Sequence, residues 1–86
     1  MTTDTVEAAP GRLSNVELGE LIGLSHSSAS RVRSGQRAPG YRVMLAIERC
    51  FGWTIQDQVK LLDTDRHEYA AELERQAAAF LKRQAA

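Results

Sequence analysis

The 86-residue chain has a single cysteine, Cys50, and only two prolines, Pro10 and Pro39. One cysteine excludes an internal disulfide and argues against a cysteine-held zinc site. The five aromatics, Tyr41, Phe51, Trp53, Tyr69 and Phe80, leave the core to be built mainly from aliphatic side chains. No apolar run approaches the roughly 20 residues that cross a bilayer, and the N-terminus has no charged-then-apolar leader pattern. The expectation is a soluble cytoplasmic protein without a membrane partner. The length allows one domain plus one protruding element.

An excess of charge is missing too, since the chain is neutral overall. The distribution is uneven. Residues 1–24 carry Asp4, Glu7, Glu17 and Glu20 against Arg12, a net −3. Residues 25–49 carry Arg31, Arg33, Arg37, Arg42 and Arg49 against Glu48, a net +4, and residues 50–86 come to −1. A basic centre therefore lies between acidic flanks. All its cations are arginines, whose planar fork suits phosphates and guanine edges.

What is present in quantity is helix-forming sequence with clear punctuation. Residues 1–11, closed by Pro10-Gly11, read as a flexible N-terminal arm. Ser14 stands three residues before Glu17, the spacing of a capping box, and Leu18, Leu21 and Ile22 follow on one face. Gly23 stops this helix, and Ser25 can cap a second one that runs to about Ser34 and ends at Gly35. Tyr41 to Phe51 carries apolar residues at Met44, Ile47 and Phe51, with Gly52 as its cap. Thr54 opens a helix over 55 to about 62, and 65 to about 84 is a run of strong helix formers without Gly or Pro. The reading is all-α: an arm (1–11), a bundle (12–62) and a long C-terminal helix (63–86).

The sharpest feature is the pair of short helices, 15–22 and 26–34, joined by Gly23-Leu24-Ser25. A turn of about three to four residues containing glycine is the helix-turn-helix geometry. At about 100° per residue, Ala29 and Val32 share one face of the second helix, while Ser27, Ser30, Arg31 and Ser34 cluster opposite. Short hydroxyls beside one guanidinium make a poor helix face and a good contact face. Gly19, inside the first helix, is expected to permit close packing against Ala29. Catalysis finds little support. Cys50 sits beside Ile47 and Phe51 as a small hydrophobe, and His67 lies among Asp63, Asp65 and Glu68, where surface electrostatics outweighs a metal site. No paired carboxylates, phosphate-cradling glycine loop or nucleophile triad is visible, so neither enzyme activity nor a cofactor is expected.

Residues 13–39, LSNVELGELIGLSHSSASRVRSGQRAP, resemble the DNA-binding domain of lambda-repressor/Cro (Xre-type) regulators. The similarity continues through Met44, Ile47 and Phe51-Gly52-Trp53-Thr54-Ile55, and so covers about residues 13–62. It implies a lambda-repressor-like bundle of about five helices that binds double-stranded DNA. The helix beginning at His26 would be the recognition helix, with His26, Ser27, Ser28 and Arg31 at positions that face bases. Ser14 and Asn15 match residues that clamp a phosphate, and Ser34, Gln36, Arg37 and Arg42 would flank the backbone. The chain departs from the pattern at three places. A full helix normally precedes Leu13. Arg33 stands where glutamate is common, adding charge beside the DNA face. Glu48 replaces a small residue and calls for solvent, Arg49 or Arg12.

The last helix carries a stripe, Tyr69, Leu73, Ala77 and Phe80. Such a stripe can pair with a second copy, giving a homodimer, or dock on its own domain in place of the usual first helix. The functional expectation is a sequence-specific regulator, a small phage- or prophage-type repressor without a small-molecule ligand. The alternative is an antitoxin-like or adaptor protein in which the helix-turn-helix is scaffolding and the last helix grips a partner.

Overall fold

Residues 12–85 are described here by a computed structural model; the expected N-terminal arm lies outside the described residues. Five helices follow one another: α1 (Asn15–Ile22), α2 (His26–Arg33), α3 (Tyr41–Phe51), α4 (Ile55–Thr64) and α5 (Arg66–Ala85). Among the described residues there is no strand. The architecture is a lambda-repressor-like helical bundle. No described helix is long and apolar enough to cross a membrane.

Local chemistry sets the first helix boundaries. The Ser14 Oγ accepts from the Glu17 N–H at 3.1 Å, and the Glu17 carboxylate accepts from the Ser14 N–H at 2.9 Å, which completes the capping box. At the far end of α1, Gly23 takes φ 80°, and the N–H groups of Gly23 and Leu24 both donate to the Gly19 carbonyl, at 2.7 and 2.9 Å. Ser25 then caps α2 by accepting from the Ser28 N–H at 3.2 Å. The second helix closes with a Schellman motif around Gly35, at φ 79°. Gln36 N–H reaches the Arg31 carbonyl at 2.9 Å, and Gly35 N–H reaches that of Val32 at 3.2 Å. The second helix thus ends one residue earlier than its sequence pattern suggests, and α4 runs two residues further.

Gly19 allows a close approach, but not to the partner expected. A Cβ there would strike the carbonyl oxygen of Leu24, and the Leu24 carbonyl carbon lies 3.2 Å away. The left-handed turn at Gly23 folds the backbone back over α1, so the space beside Gly19 is filled by the turn and not by Ala29.

The core joins Leu13, Leu18, Ile22, Ala29, Val32, Ile47, Phe51 and Trp53 to Tyr69, Leu73 and Ala77 of α5. The last helix packs against α2, α3 and α4. Tyr69 stacks on Trp53 with ring centroids 4.8 Å apart, and half-buried Phe80 tilts against Phe51 at 5.2 Å. Tyr69 and Leu73 are 1% and 0% exposed, so the stripe is consumed by the chain's own core. Tyr69, Leu73 and Ala77 are covered intramolecularly, because α2, α3 and α4 leave an apolar trough that α5 fills, and Phe80 stays half-buried; this packing is the docking arrangement of the two the stripe allows. One polar side chain lies at its centre. Gln58, 0% exposed, donates to the carbonyls of Met44 and Trp53 at 2.9 and 2.8 Å and accepts from the Tyr69 hydroxyl at 2.8 Å. Burial pushes the Tyr69 phenol well above its ordinary value.

Candidate nucleic-acid interface

The second helix is anchored from beneath by Ala29 and Val32, 0% and 1% exposed, so its opposite face is forced outward. His26, Ser27, Ser30 and Arg31 are exposed along it, and Ser28 is half-buried. The face continues into exposed Ser34, Gln36 and Arg37, and exposed Arg42 stands in the first turn of α3. Two contacts organise this surface. An Nη1–H of Arg37 donates to the Ser28 Oγ at 3.0 Å, tying the loop after the helix to its first turn. Ser34 Oγ donates to the Arg31 carbonyl at 3.1 Å, and the exposed Arg31 side chain has no hydrogen-bond or ion-pair partner among the described residues.

At the start of α1 the two expected phosphate clamps differ. Ser14 donates its N–H to the Glu17 carboxylate and accepts the Glu17 N–H on Oγ, which leaves its O–H hydrogen free. Half-buried Asn15 uses only its Oδ1, which accepts from Arg33 at 3.0 Å. Arg33 itself does not sit beside the outer face as its position suggests. Its side chain is 5% exposed and turned inward, where it forms a bidentate pair with Glu74 of α5 at 2.6 and 2.9 Å and donates to the Leu13 carbonyl at 2.7 Å. A buried guanidinium loses its water, and here nearly all its donors find a carboxylate, carbonyl or amide oxygen in return. Glu48 is half-buried without an ion pair among the described residues, and Arg12 lies 3.7 Å from Glu74 instead. No local spacing pointed to this partner, because Glu74 is 41 residues away.

Two clefts flank the surface. One, of about 300 Å³, is lined by Arg12, Asn15, Ser30, Arg33 and Ser34. The other, of about 450 Å³, lies between α1 and α3 and is lined by Leu21, Arg42, Leu45, Ala46, Arg49 and Cys50. The half-buried Cys50 thiol donates to the Leu21 carbonyl at 3.5 Å. His67 packs its ring against Gly35, and its N–H donates to the Asp65 carboxylate at 2.8 Å. Among the described residues no three His, Cys, Asp or Glu side chains gather as metal ligands.

An exposed helix face of hydroxyls and guanidinium, behind a glycine turn and in front of a buried small-residue face, is the arrangement of a DNA-reading helix-turn-helix. The family model described as "Helix-turn-helix", of the Xre/lambda-repressor type, matches residues 10–58, more than half of the chain. The chain belongs to the Xre-type helix-turn-helix family. It is a DNA-binding helix-turn-helix protein of the regulator class, and α1 and α2 are the two helices of the motif. Comparisons with curated proteins and with solved structures found no match.

Proposed function

We propose that this helix-turn-helix protein is a sequence-specific regulator, a compact phage- or prophage-type repressor, that lays α2 in the major groove of double-stranded DNA. The observation that carries the reading is the division of α2: Ala29 and Val32 are fully buried, while the residues opposite them are exposed and rich in short donors. In this reading Arg31 reads a guanine edge through a bidentate pair, and His26, Ser27 and Ser28 contact neighbouring bases. Asn15, Gln36, Arg37 and Arg42 hold phosphates on either side, and Ser34 joins them by turning its hydroxyl from the Arg31 carbonyl to a phosphate. Ser14 accepts from the Glu17 N–H through its Oγ, and its own O–H remains to donate to a phosphate beside Asn15.

Burial of the Tyr69 stripe supports a chain that folds as a self-contained unit. Two copies on an inverted repeat would meet through other, exposed residues, not through that seam. The test is binding of the full chain to random and selected duplexes across a salt series, followed by sedimentation with and without DNA. Salt-dependent affinity with selection of a defined site supports the reading. A folded chain that ignores DNA and binds a protein partner through α5 would favour the adaptor alternative.

A further inference from the structure

Arg33 is the last residue of α2, Asn15 the first of α1, and Glu74 lies in the middle of α5. The three meet. Both Glu74 oxygens accept from Arg33, at 2.6 and 2.9 Å, and one Arg33 nitrogen, Nη1, donates to both the Leu13 carbonyl and the Asn15 Oδ1. A guanidinium has only donors, so the edge of the Asn15 amide turned toward it must be the oxygen. Both hydrogens of Nδ2 then point away from Arg33. Among the described residues Nδ2 has no partner, and Asn15 lines the cleft that also holds Arg12, Ser30 and Ser34 from the edge of the outward face.

We propose that Arg33 and Glu74 are positioning residues for DNA binding: they lock the Asn15 amide with Nδ2 outward, where it donates to a backbone phosphate. The inference rests on the DNA-binding reading and names what aims one of its phosphate contacts. Arg33 does not act through its charge, because Glu74 neutralises it and only 5% of its side chain is exposed. Its role is to select one of two amide orientations that would otherwise be equally open to a surface asparagine. Glu74 in turn holds Arg33, so a residue of α5, far from the recognition helix in sequence, sets the geometry of a contact at the start of α1. The same carboxylate keeps half-exposed Arg12 at the mouth of the cleft, at 3.7 Å.

A phosphate contact carries no base information, so the effect should be equal on all sequences. A neutral amide releases no counterion, so the salt dependence should not change, unlike the loss of an arginine that neutralises a phosphate. The test measures full-length protein on a random-sequence duplex by fluorescence anisotropy at several salt concentrations, with thermal melts of each variant. Asn15→Ala and the paired replacement Arg33→Met with Glu74→Leu should each weaken binding about tenfold, with an unchanged salt slope. Combining all three substitutions should weaken it no further, because the pair acts through Asn15. The paired replacement removes both charges together, and exchanging a buried ion pair for apolar groups is often neutral for stability. Should that variant fail to fold, Glu74→Gln tests the same coupling: its loss of affinity should vanish when Asn15 is already alanine. Additive losses in the combined variant, or a folded Asn15→Ala protein that binds like the parent, overturn the positioning role and leave DNA binding standing. A parent chain without salt-dependent duplex affinity overturns both.

Discussion

The Tyr69 hydroxyl donates a 2.8 Å hydrogen bond to the Gln58 Oε1, closing a fully satisfied polar centre where α4, α5 and the end of α3 meet. Because Gln58 also donates to the carbonyls of Met44 and Trp53, one side chain joins three helices. Tyr69→Phe keeps the stacking on Trp53 but leaves the Gln58 oxygen unsatisfied, and should cost about 1–3 kcal/mol at neutral pH, read as a lower midpoint in urea.

The same phenol gives an alkaline signature. Its folded pKa is raised by burial, so an unfolded chain loses that proton first as pH climbs through about 10. The unfolded state then binds fewer protons, and unfolding stability falls with rising pH. The contribution is fully present below the ordinary tyrosine value and is lost as pH approaches the raised one. Urea denaturation at stepped pH should show this decline in the parent and a shallower one in Tyr69→Phe. Parallel slopes would mean Tyr69 is not the group that resists ionisation.

The short-range features of this fold were readable from sequence because their chemistry spans three or four residues. Ser14 and Glu17, Ser25 and Ser28, and the glycines at 23, 35 and 52 each act within one turn, so spacing alone identifies them. Gly19 shows the limit. That a glycine inside a helix marks a close approach was legible, but its neighbour is the Leu24 carbonyl, placed there by the path of the turn and not by helix periodicity. The Arg33–Glu74 pair spans 41 residues, and no period links such partners. Likewise, a stripe at three-to-four spacing on α5 fits a second copy or its own domain equally well. The choice depends on the trough that α2, α3 and α4 leave, which exists only in the folded chain. Of the candidate interface, the exposed face of α2 was legible through the burial of Ala29 and Val32, whereas the roles of Ser14 and Asn15 depended on which of their atoms the fold had already used.

Gly19→Leu should lower stability by about 1–3 kcal/mol, since the added side chain meets backbone that cannot rotate aside. The turn that sets the angle between α1 and α2 would shift with it. Melting temperature and duplex affinity should therefore fall together, with Gly19→Ala showing the same trend on a smaller scale. An unchanged melt in Gly19→Leu would contradict the position of the turn over α1.

Arg31 and Arg37 both lie on the exposed basic face but differ in their surroundings. Arg31 stands in the last turn of α2, whereas Arg37 is held against Ser28 from the following loop. Arg31→Ala should cost about 1–3 kcal/mol on a selected site and relax one base position, with little effect on random duplex. Arg37→Ala should weaken all duplexes alike and reduce the salt slope by about 1. Competition gel shifts on a randomised library separate the two, and an identical pattern for both variants would remove Arg31 from base reading.

Truncation after Thr64 decides what α5 contributes. Tyr69, Leu73 and Ala77 are within 3% of complete burial, and their removal uncovers Phe51, Trp53 and Gln58 and takes Glu74 away from Arg33. Each large apolar side chain in that interface is worth about 1.5–3 kcal/mol. Losing several at once removes an amount comparable to the whole stability of a small domain. Residues 1–64 should therefore show little helical signal at room temperature and no cooperative melt, and DNA binding should vanish with the fold. The full chain should sediment as a monomer in the absence of DNA if the Tyr69–Leu73–Ala77 stripe is covered internally. A truncated chain that stays helical, beside a full-length protein that sediments as a dimer, would instead mean that α5 leaves its trough to pair with a second copy.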